Sequence, residues 1–506
     1  MTHPVYFGLA LGKTWNNGRT GDSVDLAISG SADQVIVLAG GTSTPGGPTT
    51  PARAAVAPGA AVSLSELFAA GSAANYTTTL ACARTDNGAA IAVGGGGTSG
   101  TLTMPADTGV TCTFANSRSQ ASLTLAKQWV DARVGETATV LSAGFTNDAT
   151  SGLSTSTGNN TTTGAPVTVF AGDSGNLGET LTNAANYDAT LACTGNATPL
   201  AGVTLTIAPT DTAITCTQTN TRRQATLVLS KTWVNGLPGD TATVTSSGFE
   251  NPASSGLSTS TGNNTTTGSP VIVHAGESGT ITEVLSNAAN YDSTLSCTGN
   301  TVPLSGTTLT VDPADTAIAC TQTNTRREVN LTLRKSWVDA AVGETVQVSA
   351  TGSTTSPITL SSVADSATET DTGTAVPVYV GESITLAETF ATPANAANYS
   401  STLACTGSSG LSGNTLVVGQ GDSNIVCTFT NTRPQTTLQL VKVWAADSRN
   451  GDVAQIGAST GLQNNTNAFT STASVGANSS TVPVFVGEQA TLPAETMGGA
   501  ALANYA

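Results

Sequence analysis

Five stretches of this 506-residue chain alternate apolar and polar residues with period two, and each ends on Lys-x-Trp. In one of them Leu123, Leu125, Lys127 and Trp129 are separated by Thr124, Ala126 and Gln128. The others run Leu9, Leu11, Lys13, Trp15; then Leu227, Leu229, Lys231, Trp233; then Leu331, Leu333, Lys335, Trp337; then Leu438, Leu440, Lys442, Trp444. Such alternation predicts a half-buried β-strand, in which residues two apart share a face. Each lysine is therefore expected on the core face, beside leucines and a tryptophan. Further short runs, PVTVF (166–170), PVIVH (270–274), PVYV (377–380) and PVFV (483–486), alternate with Gly/Ser/Thr/Asn segments. No stretch keeps a helical period. The glycine-rich GGGGTSG at 94–100 reads as a loop.

The tryptophans lie 114, 104, 104 and 107 residues apart, which sets a repeat. SGLSTSTGNNTTTG at 151–164 recurs unchanged at 255–268, and CTQTNTRR at 216–223 recurs at 320–327. The expected domains are 1–119, 120–223, 224–327 and 328–434, with an incomplete fifth at 435–506 that stops before its closing strands. About 100 residues suits one β-sandwich. The fold class expected is all-β: tandem β-sandwich domains, prealbumin- or immunoglobulin-like, arranged as beads on a string.

Composition narrows the function. Only 10% of residues are charged and the formal net charge is −16, which argues against nucleic acid as a partner. No run of about 20 apolar residues predicts membrane insertion, and the first residues do not read as a secretory signal. Aromatic residues are 4% of the chain, so each core is small and calls for staples. The eight cysteines fall two to a complete repeat: Cys82 and Cys112, Cys193 and Cys216, Cys297 and Cys320, Cys405 and Cys427. One disulfide per domain in an oxidising, extracellular setting is the expectation, with free buried cysteines as the alternative. The cysteine spacing is too wide for a zinc site, His3 and His274 hold no common position, and neither metal nor cofactor is expected.

A buried ammonium needs a partner or a chemical fate. Two polar residues recur at inward-facing positions with each lysine. Asn116, Asn220, Asn324 and Asn431 stand four residues after the second cysteine, and Glu66, Glu179, Glu283 and Glu388 follow the lysines by 52 or 53 residues. Glu495 holds that place in the fifth repeat, where Pro493 shifts the alternation. Desolvation favours neutral lysine and neutral glutamate. A neutral amine attacks carbon, and a carboxyl can polarise the asparagine carbonyl and pass protons to departing ammonia. The product would be a Lys–Asn isopeptide bond joining Lys13 to Asn116, Lys127 to Asn220, Lys231 to Asn324 and Lys335 to Asn431. A plain Lys–Glu ion pair is the competing reading. Rival carboxylates at Asp22, Glu136, Asp240, Glu344 and Asp452 each follow a glycine and read as turn residues. A second set, Asp173, Glu277, Glu382 and Glu488, is replaced in the first repeat by Pro58–Gly59–Ala60. Arg118, Arg222, Arg326 and Arg433 are expected at domain junctions, facing an acidic neighbour.

The K-x-W strand, the glutamates followed by Tyr76, Tyr187, Tyr291, Tyr399 and Tyr505, and the closing T-N-T-R resemble the prealbumin-like, SpaA/CnaB-type domains of bacterial surface proteins and pilins. The resemblance implies an intramolecular isopeptide with the glutamate as the promoting acid. The cysteine pair and the tryptophan depart from the pilin pattern and look more like the repeat arrays of large Gram-negative surface proteins. The expected function is a structural stalk in a cell-surface or secreted adhesin-like protein, partnered by neighbouring domains or chains of the same assembly. A multivalent binder of host or surface glycans, and a filament subunit accepting a strand into its fifth domain, stay open. Turnover of a substrate is not expected. Lys442, with no asparagine to meet, is expected to remain a free amine.

Overall fold

The computed structural model describes residues 5–475, 478–498 and 505. Ala506, the end of the expected fifth repeat, lies outside them. Two compact units result: residues 1–225 with 272–277 and 310–316, and residues 226–271 with 278–309 and 317–506.

The first unit contains two β-sandwiches. In residues 120–223, the Gln120–Val130 strand lies between Ala213–Arg222 on one side and Asn160–Thr163 and Val167–Phe170 on the other, with Tyr187–Thr194 beyond Ala213–Arg222. The facing sheet orders Ser154–Thr155, Thr137–Ala143, Ser174–Leu181 and Thr204–Thr206. Leu123, Leu125, Val140, Val169, Leu177, Ile207 and Ile214 fill the space between them. The strand that opens the repeat and the strand that closes it pair in parallel, from Ser122 with Ala213 to Val130 with Thr221. Parallel neighbours cannot be joined by a hairpin, so the rest of the repeat is the crossover between them. The same pairing joins Phe7–Asn16 to Val110–Arg118 in residues 7–118.

In the second unit the pattern recurs. Thr226 to Val234 pairs in parallel with Ala317–Arg326, and Glu328–Val338 with Ile425–Thr432. The fifth repeat contributes a Gln435–Lys442 strand paired, among the described residues, with Asn478–Phe485, and a small sheet of Phe469–Thr472, Val453–Ile456 and Glu495–Met497. Links between successive repeats are minimal. Val110–Arg118 is followed by Gln120–Val130 after one residue, Ser119, and Glu328–Val338 follows Ala317–Arg326 after Arg327 alone.

The glycine-rich segment is a hairpin rather than a loop. Gly94–Gly96 pairs antiparallel with Ser99–Thr103, which joins the sheet through Ala61–Ala70. Backbone hydrogen bonds suffice for this pairing, and the backbones come close enough that a Cβ on Gly95 would lie 3.1 Å from the Gly100 Cα. The sequence signal for a loop was the lack of side chains, which is also what lets the two strands approach.

All eight cysteines are paired as Cys82–Cys112, Cys193–Cys216, Cys297–Cys320 and Cys405–Cys427. Each bond links directly opposed residues of the closing strand and its antiparallel neighbour, as for Cys193 and Cys216. Replacing Cys193 and Cys216 by alanine opens a link across 23 residues and is expected to destabilise that repeat by about 3 kcal/mol. Hydrogen exchange across residues 187–222 checks this, and unchanged protection would show that the bond adds nothing.

Candidate functional site: a buried lysine, glutamate and asparagine

The opening strand carries its lysine between two apolar groups. Toward the strand start lies the main core; beyond it Trp129 packs with Ala132, Ala138 and Tyr187. The amine therefore has no route to water. Lys127, Lys231 and Lys335 are 0% exposed, and Lys13 is 6% exposed. Asn116, Asn220, Asn324 and Asn431 are all 0% exposed. The parallel register explains the juxtaposition. Asn220 stands opposite Trp129, two residues beyond Lys127, so lysine and asparagine are diagonal neighbours on one face. The glutamate arrives from the facing sheet, where Glu179 lies opposite Val140.

One carboxylate contacts both partners in every complete repeat. Glu66 lies 2.6 Å from Lys13 Nζ and accepts a 2.7 Å hydrogen bond from Asn116 Nδ2. The Lys13 contact is short but poorly directed as a hydrogen bond. Glu179 lies 3.3 Å from Lys127 Nζ, and Asn220 Nδ2 donates to its two oxygens at 3.1 and 2.9 Å. Glu283 lies 3.6 Å from Lys231 Nζ, with Asn324 Nδ2 at 3.0 and 3.1 Å. Glu388 lies 3.3 Å from Lys335 Nζ and 3.0 Å from Asn431 Nδ2. In the fifth repeat Lys442 meets Glu495 at 2.7 Å, so the shift at Pro493 does not misplace that residue, although both side chains are more exposed there.

Further contacts hold each amine. Lys127 donates to the Gln128 carbonyl at 2.8 Å, Lys231 to Thr232 at 2.7 Å and Lys335 to Ser336 at 3.0 Å. All five lysines sit over the tryptophan two residues on, with Nζ 4.1–4.6 Å from the ring centroid. Burial is the largest influence on proton affinity and lowers it, while the glutamate opposes the change. Lys231 and Lys335 are brought down to about 8 from the ordinary 10.5. An amine with that affinity spends an appreciable fraction of its time neutral and nucleophilic near neutral pH.

The carboxylate lies at the asparagine nitrogen, so it is placed to pass a proton to the leaving group rather than to polarise the carbonyl. In two repeats a serine occupies the carbonyl instead. Ser293 Oγ donates to Asn324 Oδ1 at 2.9 Å, and Ser401 Oγ to Asn431 Oδ1 at 2.7 Å. Ala189 stands opposite Asn220 and Thr78 opposite Asn116. Among the described residues, Asn116 Oδ1 and Asn220 Oδ1 have no hydrogen-bond partner.

Two supports were not legible as such in the sequence. Four of the five carboxylates read as turn residues receive tyrosine hydroxyls: Tyr76 donates to Asp22 at 2.5 Å, Tyr291 to Asp240 at 2.6 Å, Tyr505 to Asp452 at 2.8 Å, and Tyr187 to Glu136. Burial, helped by that carboxylate, pushes the Tyr76 hydroxyl up to about 12. Each tryptophan Nε1 donates to a serine, Ser43, Ser154, Ser258, Ser362 or Ser471, at 2.8–3.0 Å. Ser154 and Ser258 belong to the duplicated 14-residue segment, whose buried Ser151 and Ser255 also cap the Val140 and Val244 backbone N–H groups. The repeated serines thus have internal work, which the sequence alone left open to a surface role.

A prealbumin-like fold domain of the SpaA type matches residues 9–118, 239–326 and 329–433. These segments make up more than half of the chain, and the chain belongs to that family. No curated protein matches the sequence. Similar solved structures include the T-13 major pilin of Streptococcus pyogenes, at 10% identity over 44% of this chain and 98% of that one, with a TM-score of 0.25. The SpaC pilus adhesin of Lactobacillus rhamnosus GG aligns at 11% identity over 82% of this chain and 56% of that one, with a TM-score of 0.22. The shaft pilin SpaA of the same organism aligns at 16% identity over 43% and 98%, with a TM-score of 0.17. Whole-chain superposition is poor in each case, and membership rests on the domain match. No helix among the described residues is long and apolar enough to cross a membrane.

The lysine environment makes a direct prediction. In an Asn324→Ala chain Lys231 has no amide to react with and should titrate near 8. The unfolded chain keeps that proton up to about 10.5, so the folded state gains stability as pH rises from about 8 to 10.5 and loses it as pH falls back. Lysine ε-carbon NMR across this range checks it, and a midpoint at the ordinary value would contradict the buried site.

Proposed function

We propose that this chain is the load-bearing part of a surface or secreted shaft, built from repeats whose opening and closing strands become covalently joined. The observation that carries the reading is the single glutamate that contacts both the lysine amine and the asparagine amide in all four complete repeats.

The chemistry balances without a cofactor. The carboxylate takes a proton from the lysine ammonium. The neutral Nζ attacks the asparagine Cγ, and the carbonyl electrons move to Oδ1. The protonated glutamate then delivers its proton to Nδ2 as the Cγ–Nδ2 bond breaks. Ammonia leaves as ammonium with the second proton of the amine, and an Nζ–Cγ amide remains. Proximity in a closed site supplies much of the acceleration. The reaction runs once per repeat and is self-modification, not turnover.

The position of the bond suits a stalk. The opening and closing strands are hydrogen-bonded neighbours, and tension along the chain enters one and leaves by the other. A bond from Lys127 to Asn220 would carry that tension past 92 intervening residues. The sandwich between would then be spared, and the disulfide would hold the closing strand to its other neighbour. Partners on this reading are further domains or chains of the same surface assembly. The cystines and the family assignment support an extracellular location.

Intact mass of the full chain tests it. One ammonia should be missing for each of the four complete repeats, and Lys127→Ala should restore one. Peptide mapping soon after synthesis should find the third and fourth repeats, with Ser293 and Ser401 on the amide oxygen, joined before the second. A full unmodified mass would leave four buried ion pairs and remove the covalent reading.

A further inference from the structure

Each complete repeat ends in a buried arginine that reaches into the repeat after it. Arg118 Nε donates to the Ala171 carbonyl at 2.7 Å, and a guanidinium nitrogen lies 2.6 Å from Asp173. Arg222 donates to Ala275 at 3.0 Å and lies 3.9 Å from Glu277. Arg326 donates to Val380 at 2.7 Å and lies 3.8 Å from Glu382; Arg433 donates to Val486 at 2.7 Å and lies 3.8 Å from Glu488. The receiving turn reads small–Gly–acid each time. Its first residue also donates its N–H back to the link, Ala171 to Ser119 at 2.9 Å and Val380 to Arg327 at 3.0 Å. Its glycine has positive φ and lies against an asparagine of the preceding repeat: a Cβ on Gly172 would stand 2.5 Å from Asn75 Nδ2, and one on Gly381 2.9 Å from Asn290 Nδ2. A ring precedes every turn, Phe170, His274, Tyr379 or Phe485, and Arg118 lies over Phe170, Arg326 over Tyr379 and Arg433 over Phe485 at 5.6–5.9 Å.

The first repeat supplies the comparison. At the matching positions it has Ala57, Pro58, Gly59 and Ala60. The ring is gone, proline has no N–H to donate, and alanine replaces the carboxylate. Among the described residues nothing lies within 4 Å of a Cβ placed on Gly59. Residues 7–118 nevertheless form a complete sandwich with that turn, so the ring, the donor and the acid are not needed to fold a repeat.

We propose that the small–Gly–acid turn is a socket whose partner is the arginine–asparagine end of another repeat of this kind. Successive repeats lock through it in one orientation, and resistance to bending and to cleavage at each one- or two-residue link resides there. The coupling is directional: one end of a repeat offers the guanidinium and the other the carboxylate. The first repeat offers the arginine end only.

The test converts one socket to the first repeat's turn, Val380→Pro with Glu382→Ala, in the full chain. Trypsin under native conditions then reads the link at Arg326 and Arg327. Loss of a charge-assisted, buried contact should speed that cut about tenfold or more, with residues 328–434 still resistant. Arg326→Ala changes the other side of the junction and should speed cleavage after Arg327 similarly. Unchanged cleavage in both variants overturns the proposal. So does cleavage spread through residues 328–434, which would make the turn part of the repeat's own folding.

Discussion

A lysine amine without access to water is the constraint around which each of the first four repeats is arranged. Its desolvation is too unfavourable to leave uncompensated, and the compensation comes from three directions. A glutamate approaches from the facing sheet, a tryptophan ring lies beneath, and a backbone carbonyl accepts a hydrogen bond in the second, third and fourth repeats. The glutamate in turn needs its own donors, and the asparagine amide supplies them. Replacing the cluster by apolar residues of similar size would serve stability as well or better, by the general behaviour of buried ion pairs.

The opening and closing strands are the frame for the lysine, glutamate and asparagine cluster. Parallel pairing makes them neighbours along their whole length and sets the diagonal between lysine and asparagine. The tryptophan on the same strand serves twice, as the floor under the amine and as a donor to a serine in the facing sheet. The tyrosine that packs edge-on against it ties the far end down through its carboxylate partner. Polar links therefore surround the lysine on the side away from the leucine-rich core. This suits a small sandwich whose aromatic content is low and whose apolar core fills only part of the interlayer space.

The links between repeats follow a different logic. Within a repeat the polar partners stand on facing strands of one sandwich. Between repeats the carbonyl partner of an arginine stands 53 or 54 residues away in the next sandwich. A single connecting residue keeps the two ends close enough for such contacts without much loss of chain entropy. Extended, flexible linkers would have made each contact marginal.

Much was legible in the residues themselves. Period-two alternation assigned the K-x-W strands and put lysine, glutamate and asparagine on inward faces, because side-chain direction in a strand is a local property. The cysteine pairs and the junction arginines were legible for a related reason: each recurs once per repeat at one address. What the sequence left open was which carboxylate meets which donor. Alternation and spacing already set Glu179 against Lys127, but only the fold assigns Glu136 to Tyr187 and Asp173 to the arginine of the repeat before. The glycine-rich hairpin was missed because backbone pairing leaves no side-chain pattern to read. Alternation thus determined by itself the faces of the strands. The pairing of charges was decided only in the tertiary structure, since it depends on register and sheet packing between residues that are some 50 positions apart in the chain.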